Sequence, residues 1–126
     1  MTINMDYEKL CSQIFMIDSK IRFAAVYDFW AERIAGGMKE GLDSHLEEKI
    51  TINSVNQALL RWKSRKTMEE WIGKAKYAMA EYGKVKRLTF YFNENELLLV
   101  STEPDADHES VIKNIKKLLS DSSLLE

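Results

Sequence analysis

The sequence predicts an α+β fold: one antiparallel five-stranded sheet with helices, in the element order α-β-β-α-β-β-β-α. Three observations lead there. Phe23–Tyr27 and Leu97–Val100 are apolar at successive positions, the pattern of strands buried on both faces. Leu88, Phe90 and Phe92 alternate with Arg87, Thr89 and Tyr91, a two-residue period that predicts a strand with one face exposed. Apolar residues recur at three- and four-residue steps near both ends and through the middle, as on helices. The two doubly apolar strands become neighbours at mid-sheet if the strand order is 2-1-5-4-3.

Taken in order, Tyr7, Leu10, Ile14 and Ile17 form the apolar stripe of a first helix, with Asp6 or Asn4 as its cap and Asp18-Ser19-Lys20 as its end. The first strand is Ile21–Tyr27. Asp28–Ala31 is short enough for a hairpin turn, although it lacks glycine, and Glu32–Met38 follows as the second strand. Gly36-Gly37 within it predicts a bulge, an edge, or close approach of another backbone; the spacing of a phosphate-binding loop is absent. Ser44 and Glu47 have the spacing of a capping box. A helical middle over about 44–72 then carries Leu46, Ile50, Val55, Leu59 and Trp62, with Met68, Trp71 and Ile72 extending its apolar face. The period drifts around Thr51–Ser54, leaving one kinked helix or two, and Gly73 is its stop. Lys76–Tyr82, Val85–Phe92 and Leu97–Thr102 make a meander, with Tyr77 and Met79 on one face of its first strand. A closing helix buries Val111, Ile112, Ile115, Leu118 and Leu119.

With 126 residues, one proline and five glycines, the chain reads as a single domain over 1–126, with its core within about 5–120. Tails are expected only in the first three or four residues and at Ser120-Asp121-Ser122-Ser123. A single cysteine, Cys11, permits no internal disulfide, and no leader or membrane-length apolar run is visible; the expectation is a cytoplasmic protein with no membrane association. Charge is uneven. Residues 61–87 hold nine bases against three acids, while the whole chain carries −2. Such polarity steers partners and says little about fold.

The element order, with first and fifth strands side by side, resembles the roadblock and dynein light-chain domains of the longin- and profilin-like group. Ile21–Asp28, Ala58–Trp62, Lys76–Tyr82 and Leu98–Glu109 also resemble a group of small archaeal proteins of unknown function. The roadblock resemblance implies a homodimer in which the third strand pairs with its twin, and a regulatory role toward a protein partner such as a small GTPase. The edge residues that pairing would cover are Trp62, Lys76, Tyr77, Met79 and Tyr82. PAS and GAF sensor domains share the sheet order, so a small-molecule sensor, with Ala24, Ala25, Gly36 and Gly37 leaving room for a ligand, is the alternative.

No residue pattern points to an enzyme, a cofactor or a resident metal. Glu103-Pro104-Asp105-Ala106-Asp107-His108-Glu109 is acid-rich, but it lacks the spacing of a calcium loop and fits a helix entry capped by Asp105 or Asp107. His45 and His108 read as exposed helix-start residues, and Cys11 as a small core thiol. The basic segment, with Arg61, Lys63, Arg65, Lys66 and Lys74, is a partner surface. As a nucleic-acid surface it is opposed by the acidic pI of ≈ 5.8.

Overall fold

A computed structural model describes residues 6–121. The elements are α1 (Tyr7–Phe15), β1 (Ile21–Asp28), β2 (Arg33–Met38), α2 (Glu48–Lys66), α3 (Glu69–Ile72), β3 (Tyr77–Glu81), β4 (Lys86–Tyr91), β5 (Glu96–Thr102) and α4 (His108–Asp121). The five strands form one antiparallel sheet in the order β2-β1-β5-β4-β3, with β1 and β5 paired at its centre. Ser120 and Asp121 belong to α4 rather than to a tail. The other tail positions, 1–4 and 122–123, and Asn4 as a cap lie outside the described residues.

Asp6 caps α1 by accepting the Lys9 amide at 2.9 Å. The helix buries Leu10, Cys11 and Ile14 against the sheet. At the β1–β2 hairpin the missing glycine is replaced by Asp28, whose Oδ1 accepts the amides of Trp30 (2.8 Å) and Glu32 (3.0 Å). These bonds hold Ala31 at φ +60°, a conformation a side chain normally avoids. Gly36 fulfils the close-approach expectation. A Cβ there would lie 2.1 Å from the Ala24 carbonyl oxygen and 2.8 Å from Cys11 Sγ, and its φ is +84°. Its amide points away from β1 and donates to Glu8 Oε1 at 3.1 Å.

The middle of the chain departs from expectation in three ways. The Ser44–Glu47 capping box does not form: Glu47 is itself the N-cap, makes no side-chain cap bond, and Ser44 Oγ instead accepts the Leu46 amide at 3.0 Å. No break occurs at Thr51–Ser54: the helix runs on, and the hydroxyls are absorbed by bonding back along it, Ser54 Oγ to the Thr51 carbonyl at 2.7 Å and Thr51 Oγ1 to that of Glu47 at 3.4 Å. The break falls later, at Thr67–Met68, where α2 ends and the single turn of α3 begins; Gly73 then stops it with φ +88°. Finally, Leu46, Ile50, Met68, Trp71 and Ile72 face outward rather than into a core.

The sheet separates two apolar clusters. On one face α1 and α4 cover Ala24, Val26, Leu88, Phe90, Leu98 and Val100. On the other, α2 contributes Val55, Ala58, Leu59 and Trp62 over Ala25, Tyr27, Leu97 and Leu99. The predicted half-exposed strand is β4, and it is buried on both faces from Leu88 to Tyr91. α2 is the reason: Trp62 stacks on Tyr91 with ring centroids 5.4 Å apart and on Phe29 at 5.0 Å, while Arg65 donates to the Tyr91 hydroxyl at 2.6 Å.

Candidate partner interface

β3 is one border of the sheet, and its hydrogen bonding shows which groups are unpaired within the sheet. Tyr91 N–H donates to the Lys76 carbonyl and Tyr82 N–H to that of Val85. With Ala78 opposite Thr89 and Ala80 opposite Arg87, alternation makes Lys76, Ala78, Ala80 and Tyr82 bond inward to β4 and its flanks. Tyr77, Met79 and Glu81 therefore turn their backbone N–H and C=O groups outward. Tyr77 and Met79 are 38% and 47% exposed, and Tyr82 55%. The side chains of Tyr77 and Met79 project on the α4 face, where Tyr77 stacks on Phe90 at 5.7 Å and Lys116 Nζ sits 4.9 Å from the Tyr77 ring centroid, while Tyr82 lies beside Arg87 on the α2 side. Immediately before β3, α3 presents Trp71 and Ile72, each 77% exposed.

Of the five residues grouped as edge cover, Lys76, Tyr77, Met79 and Tyr82 lie on or beside β3. Trp62 does not join them; it is buried in the chain's own core. The five basic residues also divide. Lys66 and Lys74 share Glu94 at 2.9 and 3.3 Å, which holds that carboxyl below its usual pKa. Lys63 is exposed on α2, while Arg61 and Arg65 turn toward the sheet beside β3 and β4.

That turn reveals a feature the sequence did not disclose. Between α2 and the strands β3 and β4 runs a cleft of ≈ 270 Å³, lined by Arg61 and Arg65 from the helix and Arg87 from β4, over the small side chains of Ala78 and Ala80. A second cleft of ≈ 500 Å³ lies toward the start of α2, with Phe23, Met38, Leu46, Ile50 and Val85 on its walls. Arg87, Tyr82 and Ser54 line both. The signal available in the sequence was the Arg61–Arg65 spacing of four, one helix face, opposite a strand bearing Arg87.

The other sequence candidates have local roles. Asp107 caps α4 through the Ser110 amide (3.2 Å), Asp105 pairs with Lys20 (2.7 Å), and Glu103 pairs with Arg22 (2.7 Å), so the three carboxylates are held by three different partners. His108 is half-buried rather than exposed, with Nε2 2.7 Å from Thr102 Oγ1. Burial, then Lys86, holds its pKa below the ordinary 6.5. His45 is exposed. Burial, then Glu8, pushes the Cys11 thiol up to about 12, which leaves it protonated and unreactive. No helix among the described residues is long and apolar enough to cross a membrane.

The chain matches a family of unknown function (DUF6659) over residues 1–122 and belongs to it. No curated protein matches. Among solved structures, it is similar to a Roadblock/LC7 domain from Streptomyces avermitilis with TM-score 0.70 and 11% identity, covering 94% of this chain and 96% of that one. It is similar to the gliding protein MglB from Thermus thermophilus with TM-score 0.72 and 10% identity, covering 99% and 92%. A structure of MglB in a tetrameric arrangement gives TM-score 0.73 and 8% identity, covering 98% and 93%. Identities this low establish the roadblock-like fold and nothing further.

Proposed function

We propose that this chain is a non-enzymatic interaction module that pairs with a second copy of itself and, as a pair, scaffolds or regulates a protein partner. The observation that carries the pairing is the outward row of backbone groups at Tyr77, Met79 and Glu81. An apolar sheet edge in water is a template for another strand. With three outward residues, a two-fold pairing sets Met79 opposite its own copy and Tyr77 opposite Glu81, joining two sheets into one. The roadblock likeness, with MglB as one neighbour, supports a regulatory role, and by that resemblance the partner is a small GTPase. The exposed Trp71 and Ile72 next to the same edge are available for either contact.

Met79→Pro tests the pairing. Its N–H points outward, so proline removes no bond to β4, and edge strands accept proline at such positions. The expected result is two copies for the natural chain and one for Met79→Pro by sedimentation equilibrium at micromolar concentration, with unchanged circular dichroism. A natural chain that sediments as a single copy overturns the proposal.

A further inference from the structure

The two clefts beneath α2 meet at Arg87, Tyr82 and Ser54, and their walls differ in chemistry. One end, ≈ 500 Å³ and of ligand size, is mostly apolar, with Arg22, His45 and Lys84 also on its walls. The other, ≈ 270 Å³, brings three guanidiniums together from two elements, Arg61 and Arg65 on α2 and Arg87 on β4. No carboxylate lines either cleft, and among the described residues none of these three arginines is in an ion pair. Each of the six ion pairs among the described residues uses another cation; Arg22, on the wall of the larger cleft, is held by Glu103 at 2.7 Å, so the unpaired guanidiniums are the three at the smaller one. Planar guanidiniums with free donors are the side chains best suited to clamp a carboxylate or phosphate.

From this arrangement we infer that the groove binds an amphipathic anion, an aliphatic chain along Phe23, Met38, Leu46, Ile50 and Val85 with its carboxylate or phosphate head against Arg87, Arg61 and Arg65. The volume division favours this class over a nucleotide. The charged end is large enough for a head group alone, and the larger space is mostly apolar, its basic side chains Arg22, His45 and Lys84 joined by no carboxylate to receive a base or ribose. Arg87 is the pivot because it borders both parts. Burial, with Arg61 adding to it, holds the Arg87 guanidinium below its ordinary pKa, against the opposing influence of Tyr82 and Tyr27. A cation so placed gains from an opposite charge. Arg65 is already anchored by the Tyr91 hydroxyl, and so is held in place for a second bond.

The test is calorimetric titration of the full chain, below micelle-forming concentrations, with four probes. Dodecanoate and dodecyl phosphate carry both features, dodecanol lacks the charge, and inorganic phosphate lacks the chain. One molecule of at least one amphiphile is expected per chain, with dodecanol and inorganic phosphate at least tenfold weaker; which head wins separates a carboxylate from a phosphate source. Arg87→Met keeps an unbranched apolar stem and removes the charge. It should weaken amphiphile binding tenfold or more while leaving the melting temperature unchanged or raised, because the half-buried charge has no carboxylate partner to lose. Ile50→Glu, at an exposed position on the apolar wall, should abolish amphiphile binding and spare the fold. Failure of both amphiphiles to saturate, or affinity unchanged in Arg87→Met, overturns the inference. So does equal binding of inorganic phosphate, which would leave an adventitious anion only.

Discussion

On the α1–α4 face of the sheet, Ile14, Ile21, Phe90, Leu98, Val100 and Ile115 are all within 1% of complete burial, whereas on the α2 face Leu46 and Ile50 remain 40% and 45% exposed beside two clefts. The same strands supply both faces, so strand sequence does not explain the contrast. Cover does. Two amphipathic helices pack on the first face, and one helix of 19 residues, only four of them buried, packs on the second. One face is finished as a core. The other is roofed in the middle, over Trp62, and left open at each end, where ligand or partner chemistry has room.

The comparison is broken most severely by emptying the closed face. Phe90→Ala should cost about 4 kcal/mol in urea unfolding, because a side chain buried on all sides leaves a cavity that its neighbours cannot fill. Gly36→Ala should follow at about 3 kcal/mol, through positive φ and a clash with the Ala24 carbonyl. On the open face, Ile50→Ser should change stability by no more than about 0.5 kcal/mol, as expected of a surface position. A cost equal to that of Phe90→Ala would show that the start of α2 is core after all. The smallest effect concerns protons. His108 is held below 6.5, so the unfolded chain protonates first as pH falls. Its contribution is full above pH 6.5 and is lost as pH drops through the lower folded value. A slight fall in melting temperature as pH drops below 6.5 should therefore appear, and His108→Gln should flatten it. The lowered Glu94 carboxyl is lost separately, at pH values below 4.5.

The central pairing was legible in the sequence because double-sided burial writes an uninterrupted apolar run, as in Phe23–Tyr27 and Leu97–Val100. Periodicity was less informative where it could not say what covers a face. Trp71 and Ile72 fit a helical stripe but meet solvent, since the same spacing serves a core or a partner. Thr89 and Tyr91 looked exposed because their polar atoms masked surfaces that α2 buries from far along the chain. The arginine cleft was hidden for a similar reason. Arg61 and Arg65 were visible as charge, but Arg87 joins them only through the packing of α2 over β4. Edge residues were legible as a group, except Trp62, whose partners Phe29 and Tyr91 are both distant in sequence.

The Glu8 carboxylate that takes the Gly36 amide has a consequence for how many copies can join. A sheet with adhesive strands at both borders adds molecules without limit and becomes a fibre. Here the outermost donor in the middle of β2 is already consumed inside the chain, while β3 offers its own. The proposed union through β3 would therefore meet less competition from the opposite border, which favours a closed pair over an open row.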